Sequence, residues 1–290
     1  MKDVVLIDVG GTSIKYGLWD SEENQLTDKG SIDTPKTLEG YYADLTEIVN
    51  NFKKSHDLAG VAMSTPGAVN KNTGVIEGAS ALPYIHNFPI QVELEKRFGL
   101  KVSMENDANC AALAELDSGV GKGLKNLIFV VIGTGIGGSV IMDGHVHHGK
   151  HLFGGEFGFT LIDGYKTLSN VGTAVSLAKR YNEEKGTNYS GKEVFNLANN
   201  GDELAQKYAN ELYHYLAMAI YNLQYAFDPE LIVLGGGISQ ADFLIPNIEK
   251  ELQKILYEVK IAPFMPVIKA CKYRNDANLV GAYVDFKQTI

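Results

Sequence analysis

Short runs of β-branched and aliphatic residues alternate along the chain with longer segments in which apolar residues recur every three to four positions. The runs are typical of buried strands, and the periodic segments are typical of helices that pack by one face. The predicted strands cover residues 4–9, 14–19, 58–63, 102–104, 127–132, 139–142 and 231–234. The predicted helices cover residues 37–56, 89–98, 108–116, 173–184, 202–227, 242–257 and 275–286. Strands that alternate with helices predict an α/β fold.

Glycine-rich turns interrupt two of the strand pairs, one in each half of the chain. Gly10 and Gly11 lie between the first two strands, and residues 133–138 lie between the strands at 127–132 and 139–142. The same pattern of strand, turn and strand therefore occurs twice. This repetition predicts two related halves.

The second glycine turn matches a dinucleotide-binding pattern without its structural context. Gly133, Gly135 and Gly138 have the spacing G-x-G-x-x-G, and Glu156 stands near the acidic position that a nicotinamide site would use. That pattern requires a helix directly after the glycines, whereas residues 139–142 are predicted to form a strand. The sequence also lacks the motif G-x-x-x-x-G-K-[ST]. We therefore expect neither a Rossmann nor a Walker-type site.

A glycine turn between two strands can itself hold phosphate, because its backbone approaches a ligand closely and its N–H groups can donate to it. The alternative is a tight hairpin that binds nothing. Two such turns in one chain favour phosphate binding, since together they could hold one triphosphate. Asp8 ends a buried strand and needs a positive partner there, and Mg²⁺ on a nucleotide is such a partner.

Four motifs together resemble the ROK family (repressor, open reading frame, kinase). They cover residues 8–15, 105–109, 133–138 and 154–158, and their order and spacing match the family across nearly the whole chain. The resemblance implies a duplicated actin-like ATPase fold (ribonuclease H-like), with two domains around a cleft, and ATP-dependent phosphorylation of a sugar hydroxyl. It also implies a small domain over residues 1–110, completed by the C-terminal helix at 275–290, and a large domain over residues 111–274.

The resemblance further implies how the nucleotide is held. The residues that would face the phosphates of ATP are Gly10, Gly11 and Thr12 on one side and Thr134 and Gly135 on the other. Gly235 and Gly236 would contact the adenosine, and Asp8 would hold Mg²⁺ through water.

The sugar-binding residues implied by the resemblance are Gly67, Asn106, Asp107 and Glu156. Phosphoryl transfer needs a group that accepts the hydroxyl proton, and Asp107 is the candidate general base. Asn106 could donate to and accept from a sugar hydroxyl, and Glu156 could accept from two more. The alternative for Asp107 is a helix-capping residue favoured by the macrodipole, and Asn106 and Glu156 could be satisfied turn residues.

The sequence departs from the family pattern at positions linked to zinc and to the sugar. ROK glucokinases usually carry Glu-Ile-Gly-His before a cysteine-rich zinc motif, but Phe159 takes the His position and residues 166–174 contain no cysteine. We therefore expect no structural zinc. Ser80 and Ala81 replace the usual Pro-Asn of the sugar loop. Because these contacts differ, a β-glucoside, fructose or an amino sugar is a candidate substrate beside glucose.

Composition and charge exclude several classes of protein. Hydrophobic residues make up 45% and charged residues 21% of the 290, as in packed globular chains. Lys and Arg total 26 against 35 Asp and Glu, and the net charge of -9 disfavours a nucleic-acid partner. Cys110 and Cys271 are far apart and predict neither a disulfide nor a zinc site. The first apolar run stops at Asp8, too soon for a signal sequence or membrane span, so we expect a cytoplasmic protein without membrane contact.

The sequence as a whole predicts an ATP- and Mg²⁺-dependent sugar kinase. Two alternatives share the fold: a sugar-responsive ROK regulator and a non-catalytic sugar-binding protein. A regulator is disfavoured, because the chain starts close to Asp8 and leaves no room for a helix-turn-helix ahead of it.

Two further groups of side chains are expected to serve contacts, not chemistry. The histidine cluster comprises His145, His147, His148 and His151. We expect a lid or an interface there in preference to a metal site, because neighbouring side chains of a strand point to opposite faces. The aromatic residues from Tyr213 to Phe227 are expected in the core or on a dimer surface, and we expect a homodimer.

Overall fold

The computed structural model describes residues 2–260, 263–273 and 275–290, which form two compact units. The first unit contains Met1–Ser118, Gly149–Phe153 and Tyr273–Ile290, and the second contains Gly119–His148 and Gly154–Lys272. The division implied by the resemblance places its boundary inside the helix Asp107–Ser118 and stays a prediction.

The first unit is a five-stranded sheet with helices. Its elements up to residue 118 are, in chain order, β1 (Asp3–Val9), β2 (Ser13–Asp20), β3 (Gln25–Asp33), α1 (Leu38–Lys53), β4 (Leu58–Thr65), β5 (Ala68–Asn70), β6 (Val75–Glu77), α2 (Ile90–Phe98), β7 (Lys101–Asn106) and α3 (Asp107–Ser118). The strand order is β3-β2-β1-β4-β7. Neighbours β1, β4 and β7 run parallel, while β2 is antiparallel to both β1 and β3. The carboxyl ends of β1, β4 and β7 therefore meet at one edge.

The second unit repeats this arrangement. Its elements are β8 (Leu127–Ile132), β9 (Ile136–Met142), β10 (His145–Val146), β11 (Leu161–Asp163), β12 (Lys166–Thr167), α4 (Leu168–Val171), α5 (Ala174–Lys185), α6 (Gly191–Asn199), α7 (Glu203–Phe227), β13 (Leu231–Gly235), α8 (Leu244–Val259) and β14 (Ile268–Ala270). The strand order is β10-β9-β8-β13-β14, with two antiparallel pairs followed by two parallel pairs. Since both sheets have the same order and directions, the predicted pair of related halves is confirmed. A last helix, α9 (Ala277–Thr289), returns to the first unit.

Local sequence explains where the predicted helices begin. Thr37 caps α1 by accepting from the Gly40 N–H at 3.2 Å, and Asp202 caps the 25-residue helix α7 by accepting from the Ala205 N–H at 2.8 Å. Such caps satisfy N–H groups that have no partner within the helix. Both helices were predicted, within three residues at either end.

Several elements were missed by the sequence prediction, among them β3, the hairpin β5–β6 and α6. Strand β3 was missed because it is an edge strand of mostly polar, partly exposed residues. The hairpin β5–β6 lies between the predicted strand at 58–63 and the predicted helix at 89–98, where no element was predicted, and its strands have only three residues each. Helix α6 was missed although Ser190 and Glu193 form a capping box at its start.

Two exclusions drawn from the sequence can be compared with the structure. Gly137 and Gly138 lie within strand β9, so the strand predicted at 139–142 is confirmed, and a strand stands where the dinucleotide pattern requires a helix. Within the described ranges, no helix is both long enough and apolar enough to cross a membrane.

Candidate functional site

The predicted site residues of the first unit gather at the carboxyl edge of its sheet. In the parallel register Asp8 pairs with Ser64, and Thr65 pairs with Asn106. The ends of β1, β4 and β7 therefore bring Asp8, the turn at Gly67 and the α3 N-terminus to the same edge. Carboxyl ends of parallel strands are where α/β proteins build ligand sites.

The backbone of the first glycine turn is held by hydrogen bonds, and the tip of the turn is accessible to ligands. The Gly10 N–H donates to the Ser13 carbonyl at 3.1 Å, and the Thr34 hydroxyl donates to the Gly10 carbonyl at 2.6 Å. Gly11 and Thr12, at the tip, are exposed. A Cβ on Gly10 would lie 2.8 Å from the Ser13 carbonyl oxygen, so the tight turn requires glycine there. Such an exposed backbone tip can approach a phosphate closely.

The Asp8 carboxylate is largely shielded from solvent, and its hydrogen-bond partner is an uncharged side chain. Its side chain is 8% exposed, and its Oδ1 accepts from the Asn278 side chain at 3.0 Å. Desolvation raises the pKa of Asp8 above its usual value, although the hydrogen bond from Asn278 and the charge of Lys15 oppose the shift. Sequence reasoning missed Asn278, which is 270 residues away along the chain and carries no motif.

Asn106 caps helix α3 and contacts Gly67. Its Oδ1 accepts from the backbone N–H groups of Ala108 at 2.9 Å and Asn109 at 3.2 Å. Its Nδ2 donates to the Gly67 carbonyl at 3.1 Å. The second amide hydrogen of Asn106 is within reach of the Asp107 carboxylate, whose pKa this hydrogen bond lowers, and it could serve a ligand instead. The alternatives considered from the sequence were a cap at Asp107 and a satisfied turn residue at Asn106, whereas the structure gives Asn106 the cap on two N–H groups.

Asp107 opens α3 with an accessible carboxylate. Its Oδ1 accepts from the Ala108 N–H at 2.8 Å, and the side chain is exposed. Desolvation raises the pKa of Asp107, and the nearby Asp8 carboxylate raises it further, against the hydrogen bond from Ala108. A carboxylate with an elevated pKa, held by one oxygen, suits proton transfer through the other.

The backbone at position 67 requires glycine. Its φ is +96°, and a Cβ there would lie 2.6 Å from His86 Cε1. His86 Nε2 and the Ser80 Oγ are 2.7 Å apart, and the Ser80 hydroxyl accepts from the Leu82 N–H. The segment that departs from the family pattern at Ser80 is therefore ordered by its own hydrogen bonds behind Gly67.

The second unit carries a matching glycine turn. The Gly133 N–H donates to the Gly135 carbonyl at 2.9 Å, and Thr134 and Gly135 are exposed. The Ile136 N–H donates to the Ser169 Oγ at 2.9 Å, which fixes the start of β9. This turn thus has the same open tip as the turn at Gly10.

Glu156 is placed beside that turn by glycines. Gly155 has φ +95°, and a Cβ on it would lie 2.6 Å from the Gly138 carbonyl oxygen, while a Cβ on Gly158 would overlap the Ile136 carbonyl. The loop at 154–158 therefore lies flush against β9. Glu156 is exposed on this loop, and Phe159, one 3-10 turn later, is 70% exposed.

Gly235 and Gly236 end strand β13 beside β8. Gly236 has φ +87°, and a Cβ on it would overlap the Ile132 carbonyl. A Cβ on Gly235 would lie 2.6 Å from Phe129 Cζ. Both positions therefore require glycine, because strand β8 lies too close to this backbone for a side chain.

The predicted residues are divided between the units. The first unit holds Asp8, Gly10, Gly11, Thr12, Gly67, Asn106 and Asp107. The second unit holds Thr134, Gly135, Glu156, Gly235 and Gly236. Among the residues that the structure describes, no three His, Cys, Asp or Glu side chains form a group able to hold a metal ion.

Comparison with known proteins places these motifs in context. The ROK family profile matches residues 4–289. A β-glucoside kinase from Listeria innocua serovar 6a is 31% identical over 299 residues, which cover 98% of this chain and 97% of the relative.

Two solved structures resemble the chain over its whole length. The crystal structure of a ROK family protein from Streptococcus pneumoniae TIGR4 in complex with sucrose has a TM-score of 0.88 and 39% identity, and the match covers 99% of this chain and 98% of that one. The ROK hexokinase from Thermus thermophilus has a TM-score of 0.87 and 28% identity, with 99% of each chain covered. These likenesses confirm the α/β class and the duplicated actin-like ATPase fold.

Proposed function

Since this chain belongs to the ROK family, we propose that it is an ATP-dependent sugar kinase in which Asp107 accepts the proton of the attacked hydroxyl. The observation that supports the proposal is the hydrogen bonding and accessibility of the Asp107 carboxylate. One carboxylate oxygen is held by the Ala108 N–H, the side chain stays accessible, and the neighbouring Asn106 and Gly67 are hydrogen-bonded to each other.

The reaction follows from these groups. The sugar hydroxyl oxygen bonds to the γ-phosphorus of ATP as the bond from that phosphorus to the β–γ bridging oxygen breaks, and ADP leaves. The hydroxyl proton passes to the other carboxylate oxygen of Asp107, the one that does not accept from Ala108. The remaining amide hydrogen of Asn106 donates to a sugar hydroxyl, and Gly67 keeps that amide in place.

Each unit by itself carries backbone groups suited to nucleotide binding. In the first unit, the exposed tip at Gly11 and Thr12, next to the half-buried Gly10, supports phosphate binding. In the second unit, the tip at Thr134 and Gly135 is likewise exposed, and Gly235 and Gly236 contact the adenosine. A net charge of -9 does not oppose this, because backbone N–H groups bind anions without a basic patch.

Asp8 is proposed to hold Mg²⁺ through water. Its carboxylate is nearly buried with the neutral Asn278 amide as partner, so a cation would offset its desolvation. When bound, Mg²⁺ would neutralise negative charge on the phosphate oxygens. We expect EDTA to abolish turnover and added Mg²⁺ to restore it. Full activity in excess EDTA would contradict the assignment.

A glycoside or another substituted hexose is the proposed substrate class. Phe159 stands one 3-10 turn after Glu156 and is 70% exposed, so it offers an apolar surface to a substituent on the sugar that Glu156 binds. The relative named β-glucoside kinase and the structure with sucrose, a disaccharide, support this class.

The test is an assay of ADP release against free hexoses, hexosamines and β-glucosides, with calorimetric measurement of sugar binding. We expect turnover with at least one sugar, and a higher kcat/KM for β-glucosides than for glucose. Sugar binding without ADP release from any member of the panel would favour the non-catalytic alternative. A preference for free glucose would contradict the substrate class and leave the kinase assignment intact.

A homodimer is also proposed. Near the end of α7, Tyr225 is half-exposed and Phe227 is 37% exposed, and large apolar side chains at a surface favour protein contacts. Light scattering after gel filtration is expected to give the mass of two chains. The substitution Tyr225→Ser is expected to weaken the dimer, and a monomer mass for the wild type at all concentrations would contradict the proposal.

A further inference from the structure

A buried ionic cluster joins three elements of the first unit behind the α3 N-terminus. The Lys71 Nζ lies 3.2 Å from Glu105 Oε2 and also contacts Asp285 Oδ1. The side chains of Glu105 and Asp285 are 1% and 7% exposed. Lys71 lies in the turn of the hairpin β5–β6, Glu105 ends β7, and Asp285 lies on α9. The cluster thus ties the hairpin that follows Gly67 to the strand that precedes Asp107.

The second oxygen of Glu105 reaches both sides of Asp107. Oε1 accepts from the Asn106 backbone N–H at 2.8 Å and from the Asn109 Nδ2 at 2.9 Å. Asp107 lies between these residues in the chain. Glu105 therefore restrains the backbone immediately before Asp107 and the first turn of the helix after it.

Lys71 keeps its positive charge within this cluster. Burial alone lowers the pKa of Lys71, but Glu105 and Asp285 outweigh that effect and raise it. Two buried carboxylates facing one ammonium are costly, and removing the ammonium alone would leave both negative charges uncompensated, which is strongly destabilising. A cluster of this kind holds its members in one arrangement, because each charge needs the others.

We propose that Glu105, anchored by Lys71, is a positioning residue that fixes Asn106 and Asp107 relative to the sugar-binding turn at Gly67. The proposal rests on the proposed function for its kinetic consequences. Its structural content, restraint of the Asn106 backbone by Glu105, can be tested without turnover.

The main variant is Glu105→Gln, and Glu115→Gln is its matched control. Glu115 is also fully buried on α3 and also accepts a backbone N–H, from Tyr273 at 2.7 Å, but it lies at the other end of the helix. We expect Glu105→Gln to lower kcat by about tenfold or more in the folded protein, because small misplacements of a catalytic group are costly. We expect Glu115→Gln to lower the Tm with kcat within about twofold of wild type.

A second pair of variants keeps the proposal testable if Glu105→Gln does not fold. Asp285→Asn leaves Lys71 and Glu105 as a one-to-one pair, so wild-type kcat is expected. The double variant Lys71→Met/Asp285→Asn removes one positive and one negative charge and leaves Glu105 without its anchor. A kcat at least about fivefold below that of Asp285→Asn is expected. Equal kcat in these two variants, or equal kcat losses in Glu105→Gln and Glu115→Gln, would overturn the proposal.

Hydrogen exchange separates this proposal from the proposed function. In Glu105→Gln, but not in Glu115→Gln, the amides of residues 106–110 are expected to exchange faster than in the wild type. If the wild type phosphorylates no sugar, the kinase assignment fails while this measurement still stands. Unchanged exchange at residues 106–110 overturns the positioning role whatever the activity.

Discussion

The Asn106 side chain donates to the Gly67 carbonyl across 3.1 Å, and its oxygen caps helix α3. One amide thus connects the turn after β4 with the helix that Asp107 opens. Because its oxygen already accepts from Ala108 and Asn109, the orientation of the amide is settled by the protein before any sugar binds. Such preorganisation reduces the cost of aligning a substrate.

The substitution Asp107→Asn is expected to lower kcat by about 10²–10⁴-fold and to leave sugar binding within a few-fold, because it removes the proton acceptor and keeps the shape. The measurements are kcat from ADP release and sugar affinity from calorimetry. Asp117→Asn, an exposed substitution at the other end of α3, is the control and is expected to be neutral. Wild-type turnover in Asp107→Asn would remove Asp107 from the mechanism.

The acid side of the pH profile is expected to report Asp107. A base must be deprotonated to act, and desolvation raises the pKa of Asp107. The value of kcat/KM is therefore expected to fall on acidification at a pH above the 3.8 of an ordinary Asp. Activity that stays constant down to pH 4 would contradict this.

The same raised pKa has a consequence for stability with a definite sign. The folded state binds this proton more readily than the unfolded state, so stability contributed by Asp107 rises as pH falls through the folded pKa and is lost as pH rises through it. At pH 7 the charged carboxylate therefore disfavours folding. We expect Asp107→Asn to unfold at the wild-type denaturant midpoint or above it, and a clearly lower midpoint would contradict the sign.

Structural features that depend on a few neighbouring residues could be predicted from the sequence. The turn at Gly10 and the turn at Gly135 could be found because glycine between two apolar runs has a local cause. A cap at the start of α3 could also be anticipated, although at Asp107 and not at Asn106, since Asn and Asp before a run of good helix formers are a local signal. Their assigned roles toward ATP and sugar stay predictions.

Contacts between distant segments could not be predicted. Asn278 reaches Asp8 across 270 residues, and Lys71 reaches Asp285 across 214. Each pair depends on α9 returning to the first sheet. The family resemblance implied that return, but no periodicity in the sequence reports which side chains it brings together. The position of Lys71 in a hairpin turn could not be predicted either, because the three-residue strands β5 and β6 are too short to show an alternation pattern.

Gly281 is expected to be essential for the packing of α9 on α3. A Cβ on Gly281 would overlap the Cys110 carbonyl, one turn beyond Asp107. Gly281→Ala is therefore expected to lower the free energy of unfolding by about 1–3 kcal/mol, as overpacking does. Chemical denaturation measures this loss. A gain in stability, as a Gly→Ala change in an open helix gives, would show that the two helices can separate at no cost.

Gly236 and Gly237 are adjacent, but substitution by alanine is expected to lower the stability of the protein at Gly236 only. Gly236 has φ +87° and a Cβ on it would overlap the Ile132 carbonyl, whereas a Cβ on Gly237 meets nothing within 4 Å. Gly236→Ala is expected to lower the free energy of unfolding by about 1–3 kcal/mol, because the backbone must leave a conformation that L residues rarely adopt.

Since Gly236 is also proposed to contact the adenosine, Gly236→Ala is expected to raise the KM for ATP more than the KM for the sugar. Gly237→Ala is the matched control for stability, and its denaturant midpoint is expected to equal that of the wild type. Two outcomes would count against this account. Equal midpoints for Gly236→Ala and Gly237→Ala would remove the structural requirement at Gly236, and an unchanged KM for ATP in a destabilised Gly236→Ala would remove its proposed contact with the adenosine.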